Sequence, residues 1–245
     1  MKGSISHNKA LYRNLVNKLF AKAAGGDRRP RFFSTKTIFP EGLAFEKRFA
    51  EIQNEIHHLT ENRVLTRYQD IDAKRSAEVS NDWRLYYIYF LKKTNEQAKK
   101  DCPVILDIVQ RIPHAINATI ALLEPGVELA PHCGPYAGML RYHLGIRIPK
   151  NNPPSIRVDK EWYTWQEGKS IVLDDVFEHE VVNKSDETRI ILMIDFLRPM
   201  NKLYHQLNYF SMVWLNRHWA EHFINTTNNK SRENIHEKSD YHYGK

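Results

Sequence analysis

Apolar positions recur with three different rhythms along the chain. Over residues 8–24, Leu11, Tyr12, Leu15, Val16, Leu19 and Phe20 return at helical spacing with lysines on the other face. This predicts an amphipathic helix, ended by Gly25-Gly26. A second stripe, Phe45, Phe49, Ile52, Ile56 and Leu59, predicts a helix over 43–60, and Pro103 opens a short one over 103–111. The aromatic-rich run Trp83 to Leu91 predicts extended chain. From residue 116 the pattern breaks into short apolar runs separated by Pro, Gly, Asn and Asp: 116–123, 139–148, 155–159, 162–165, 170–174, 179–183 and 188–197. Many short strands with regular turn signals predict a barrel or sandwich. Residues 201–224 return to helical spacing through Leu203, Leu207, Phe210, Trp214 and Trp219, which predicts a helix packed against the β core, with membrane contact the alternative, and the polar residues 226–245 predict disorder.

The chain therefore divides into a leader (1–30), a helical and mixed segment (31–115), a β core (116–199), a C-terminal helix (200–225) and a tail (226–245). No internal repeat is visible. Hydrophobic residues make up 42% and charged residues 27%, a globular composition. No apolar run approaches the roughly 20 residues of a spanning helix.

Charge changes this picture at one end only. Residues 1–31 hold eight basic side chains against one acid, Asp27, which accounts for the whole formal excess of +7. The rest of the chain is balanced, so no nucleic-acid partner is expected. The leader fits three readings: a helix packed on the domain, a helix lying peripherally on an anionic membrane surface, or a mitochondrial presequence. Cys102 and Cys133 are too few for a disulfide framework, which favours a reducing, cytoplasmic setting.

Candidate chemistry sits at strand ends. Pro131-His132-Cys133-Gly134-Pro135 places a histidine in a loop between strands, and Phe177-Glu178-His179-Glu180 places a second at another strand entrance. Two imidazoles at one mouth of a barrel suit Fe(II) with open coordination positions. A 2-oxo acid chelating that metal needs a cation for its distal carboxylate, and Arg189 is of the right type. Alternation on one strand puts Arg141 and His143 on the same face, and His143 offers a further donor. Read one by one, these residues leave ordinary roles open. A strand histidine is commonly a hydrogen-bonded structural residue, and Asp174-Asp175 reads as a turn that binds local N–H groups.

Two stretches taken together resemble the aspartyl/asparaginyl β-hydroxylase family of Fe(II)/2-oxoglutarate oxygenases. They are EPGVELAPHCGPYAGMLRYHLGIRIP and WQEGKSIVLDDVFEHEVVNKSDETRIILMIDFLRP, in order and at the expected separation. The resemblance implies a double-stranded β-helix (a cupin-like jelly roll), mainly β with flanking helices. It implies Fe(II) on His132 and His179, 2-oxoglutarate on His143 and Arg189, O₂ as oxidant, and Arg141 in the active site near substrate. Gly134, where the usual facial triad has an acid, fits a family that uses two histidines and water. Met139 and Ala121 replace an arginine and a serine of the peptide-modifying members. That points toward the bacterial branch that hydroxylates lipid A acyl chains, with Met139 as an apolar wall for the chain. The alternatives are hydroxylation of a protein or free amino acid, and a non-catalytic β-helix that binds without turnover.

Overall fold

Each long strand of the core divides its side chains between two faces, and the computed structural model shows what each face meets. It describes residues 14–63, 65–71, 83–214, 220, 223 and 224. Helix α1 covers 14–23. The chain continues through β1 (Phe32–Phe33), α2 (Thr35–Ile38), α3 (Leu43–Lys47), α4 (Phe49–Asn62), β2 (Thr66–Arg67), α5 (Tyr68–Ile71), β3 (Trp83–Phe90), β4 (Lys93–Thr94), α6 (Ala98–Asp101) and α7 (Pro103–Gln110). The core follows as β5 (Ala115–Leu123), β6 (Glu128–His132), β7 (Met139–Arg147), β8 (Ser155–Val158), β9 (Glu161–Thr164), β10 (Ser170–Leu173), β11 (His179–Val182) and β12 (Arg189–Leu197). Helix α8 (Lys202–Tyr209) runs on into a π-type turn over Phe210–Trp214.

All strand pairs are antiparallel. One sheet runs β1-β10-β7-β12-β5-β3-β2, with β4 on β3, and the other runs β6-β11-β8-β9. From β5 to β12 the chain crosses between the sheets in turn, and only the β8–β9 hairpin stays within one. This is a double-stranded β-helix, mainly β with flanking helices. The outer face of the large sheet carries Tyr142, Leu144, Ile146, Leu192, Ile194 and Phe196 against Phe45, Ile52, Ile56, Ile105 and Val109 of the helices. Its inner face joins Ala121, Leu123, Leu173, Ile191 and Met193 to Leu129, Ile156, Val158 and Val181 of the small sheet. Covered on both faces, β5 and β12 are buried from end to end and read as nearly unbroken apolar runs.

Three local expectations differ from the structure. The helix expected over 43–60 is two helices, because Arg48 leaves helical geometry and pairs with Glu51 and Asp107. Strand β6 was expected as loop. It has no apolar run and contains Pro131, which its place at a sheet edge tolerates. The stripe on α8 does not face inward: Leu203 is 74% exposed, and Leu207 and Phe210 are also open. Asn208 is buried instead, its Nδ2 donating to the Gly138 carbonyl and its Oδ1 accepting from the Tyr136 hydroxyl. The side chains of Trp214 and Trp219, and the tail 226–245, lie outside the described residues.

The described part of the leader packs on the domain. Val16 and Phe20 are buried with Ala137, and Phe20 meets Tyr136 edge-on at 5.9 Å. Asn17 spans the loop between β6 and β7, its Nδ2 donating to the Pro135 carbonyl at 2.8 Å and its Oδ1 accepting from the Ala137 amide at 3.0 Å. Arg29 pairs with Asp174 at 2.6 Å and Arg31 with Asp159 at 2.7 Å. Both guanidinium groups lie 4.1 Å from the Phe177 ring. Part of the leader charge is thus neutralised by the barrel. Asn17→Ala should cost about 1–2 kcal/mol for two hydrogen bonds. Hydrogen exchange should quicken at the Ala137 amide while α1 stays helical.

Candidate active site

The pairing of the small sheet brings the two motif histidines together. β11 runs antiparallel to β6 with His179 opposite His132, and the register slips between His179 and Val181. The bulge re-aims the strand end at the mouth of the barrel. The two rings lie 4.2 Å apart, centroid to centroid, inclined at 53°. His132 Nδ1 is 2.7 Å from the Ala130 carbonyl, and His179 Nδ1 is 2.9 Å from the Phe177 carbonyl. A carbonyl only accepts, so each Nδ1 carries the hydrogen and each Nε2 the lone pair. That is the tautomer a metal ligated through Nε2 requires.

Asp175 belongs to the same mouth. A Cβ on Gly134 would stand 2.5–2.7 Å from the Asp175 carboxyl group. No residue larger than glycine fits at 134 while that carboxylate is in place. The space an acid at 134 would use is therefore filled from β10's far end. Burial raises the Asp175 pKa, opposed by Arg141. Among the described residues no set of three His, Cys, Asp or Glu is placed to hold a metal. The protein side of the site is thus two imidazoles with a carboxylate close by.

Arg141 reaches this region with its charge already matched. It lies 3.1 Å from Asp175 and 2.7 Å from Asp195, and the Asn117 amide donates to Asp195 from the other side. Burial opposes its charge, yet the two carboxylates raise its pKa. It is a braced residue rather than an uncommitted cation.

Deeper in the barrel the balance is reversed. Arg189 is 2% exposed, and no carboxylate pairs with it among the described residues. Burial alone pushes its pKa down to about 9. Its guanidinium lies 4.8 Å from the Trp165 ring, and the His143 ring is 5.8 Å from the same indole. His143 is buried, and desolvation, then Arg141 and Arg189, hold its pKa well below the usual histidine range. Neither ring nitrogen of His143 has a hydrogen-bond partner among the described residues. A buried cation beside unpaired donors is costly by itself and cheap once an anion enters. The donor set suits a carboxylate.

All five residues singled out in the sequence thus reach one barrel, in two tiers: His132, His179 and Arg141 at the mouth, His143 and Arg189 within. Met139 is not an open wall of this space, since it is buried with Leu91, Ile116 and Leu197 near the C-terminal segment. Ala121 does face the interior. Sequence reasoning missed the ionic frame. Asp174 does make the expected turn contact with the Val176 amide, but it is fully buried and also holds Arg29 and Arg198. A carboxylate inside the apolar strand Ile190–Leu197 was the available signal for Asp195, because an acid there needs a partner. Nothing local marks Asn17, and Trp165 opens the second motif stretch without any signal of its role.

Comparison with known proteins bears on the whole constellation. A model of the aspartyl/asparaginyl β-hydroxylase family matches residues 46–199. An ornithine lipid ester-linked acyl 2-hydroxylase of Rhizobium tropici is 36% identical over 174 residues, which cover 70% of this chain and 62% of that protein. The human aspartyl/asparaginyl β-hydroxylase is 33% identical over 123 residues, covering 48% of this chain and 16% of that protein. The chain therefore spans less than two thirds of the length of these relatives. A cupin domain of Schizosaccharomyces pombe Cnp3 overlays 54% of the chain and 75% of its own at 8% identity and TM-score 0.35. With the family match covering the helical layer, both histidine motifs and Arg189, the chain belongs to the aspartyl/asparaginyl β-hydroxylase family.

Proposed function

We propose that this enzyme is an Fe(II)- and 2-oxoglutarate-dependent dioxygenase that hydroxylates an acyl chain of a membrane lipid. The observation that carries the reading is the buried Arg189, with no carboxylate partner among the described residues, below a pair of touching histidines. His132 and His179 would hold the metal, which when bound supplies activation of O₂ at the expense of 2-oxoglutarate. Arg189 would grip the distal carboxylate, and His143, held neutral, would offer a donor without adding charge. Arg141, held by Asp175 and Asp195, would stiffen the mouth rather than bind substrate.

Two features favour a lipid. The Rhizobium relative is an acyl hydroxylase by name, and Arg141 has no charge left over for a substrate carboxylate. The surface agrees. Leu15 is 61% exposed and Leu19 is open on α1, and Leu203 and Leu207 on α8 and Phe210 in the turn after it are open. Neither helix contains an acid, and Lys18, Lys22 and Lys202 are exposed between these apolar residues. Such a surface suits peripheral contact with an anionic membrane, on its cytoplasmic side. Hydroxylation of a protein or amino acid is the second reading, supported by the human relative.

The test is turnover of 2-oxoglutarate to succinate with lipid or peptide added, followed by mass spectrometry. The expected product is a lipid carrying one added oxygen on an acyl chain. Oxygen on an Asp-containing peptide and none on lipid would replace this reading by the second. Pelleting with phosphatidylglycerol vesicles should fall in Leu203→Ser/Leu207→Ser and in high salt. Point changes serve better than removal of residues 1–31, which would also take away Asn17 and Arg29.

A further inference from the structure

Five buried side-chain nitrogens lack a hydrogen-bond partner among the described residues, and four of them lie in one place. They are both ring nitrogens of His143, Nε of Arg189 and Nε1 of Trp165. Trp165 is 1% exposed and sits in the inner cluster between the two sheets. Its indole N–H can only donate, and a guanidinium cannot accept. The neutral His143 ring could accept, but neither of its nitrogens is placed to do so, and the indole N–H has no acceptor among the described residues.

The backbone holds the indole there deliberately tightly. Gly145, two residues after His143 on β7, accepts from the Gly168 amide at 2.9 Å and donates to the Lys169 carbonyl at 3.1 Å. It also bridges Glu167. A Cβ at Gly145 would collide with the Gln166 carbonyl. Only glycine allows the segment after Trp165 to lie this close to β7. The close approach sets the indole against His143 and under Arg189. Ala121 faces the same interior and brings no donor.

We propose that Trp165 is a binding residue for the distal carboxylate of the dicarboxylate co-substrate. Its Nε1–H is a third donor beside Arg189 and His143, and its ring is the platform that orients the guanidinium. This rests on the co-substrate reading above, and it gives a role to the tryptophan that opens the second motif stretch.

Glutarate is the probe, because it keeps the distal carboxylate and lacks the keto oxygen that chelates metal. Calorimetry on metal-free protein should show glutarate and 2-oxoglutarate binding to the wild type. Trp165→Phe keeps a ring and removes the donor, and should weaken both about tenfold, the worth of one hydrogen bond to a charged group. The second readout is the indole N–H resonance that Trp165→Phe deletes. In the wild type it should shift on adding glutarate, which a purely structural tryptophan would not do. Unchanged affinity in Trp165→Phe with an unmoved indole resonance overturns the assignment of Trp165 alone. Failure of the wild type to bind either dicarboxylate overturns the co-substrate reading, and this inference with it.

Discussion

Arg189→Met is expected to make the protein more stable and less able to bind the proposed co-substrate, two effects of opposite sign from one change. Arg189 is a buried cation with no matching carboxylate among the described residues, so the protein without ligand bears its desolvation cost unopposed. An apolar side chain of similar length removes that cost, and the gain expected is about 1–4 kcal/mol. It also removes the proposed bidentate partner of the distal carboxylate, and 2-oxoglutarate affinity should fall about a hundredfold or more. The stability difference depends on pH with a definite sign. Burial depresses the folded pKa to about 9, below the ordinary arginine value. The unfolded chain thus holds its proton where the folded one gives it up. The penalty in the wild type is full below about pH 9 and shrinks above it. The advantage of Arg189→Met should narrow over the same range. Denaturant melts at several pH values and calorimetric titration with 2-oxoglutarate decide the matter. A variant that is less stable than the wild type, with undiminished 2-oxoglutarate binding, would show that Arg189 is an ordinary structural residue.

His132→Ala and His179→Ala should each abolish metal-dependent turnover. With two imidazoles as the whole proposed set of ligands among the described residues, each variant halves that set. Losing a hydrogen-bond partner of a metal ligand already costs roughly 10- to 100-fold in affinity. Losing the ligand should cost more, measured as Co(II) or Mn(II) binding to folded protein. The two positions should differ in stability. His179 is buried and His132 is not, so His179→Ala leaves a cavity and an unpaired Phe177 carbonyl, whereas His132→Ala leaves its site open to water. Succinate formation persisting in both variants would remove the metal site proposed here.

The outline of the barrel was legible because its information is local. β5, β7 and β12 are nine-residue strands rich in apolar residues and bounded by turn residues, and such patterns declare themselves in any window of the chain. The histidine motifs were legible for a similar reason, since each occupies a few consecutive residues at a strand end. Elements without an apolar signal were not legible. Strand β6 exists because β11 pairs with it, and its own residues mix polar side chains with a proline. Helix α8 shows the converse error, an apolar stripe taken for a packing face when Asn208 makes the inward contact through hydrogen bonds.

What the amino-acid order determined by itself was the supply of parts: the strands, the two imidazoles, one guanidinium at the head of β12, and an uncompensated charge count confined to the first 31 residues. Tertiary structure decided which charges are spent. Arg141, Arg29 and Arg198 find Asp174, Asp175 and Asp195 across distances of 24 to 145 residues, whereas Arg189 finds none of them. No spacing rule can foresee that difference. Ion pairing depends on which side chains the sheets bring within a few ångströms away from water, and that is settled by register and burial over the whole chain.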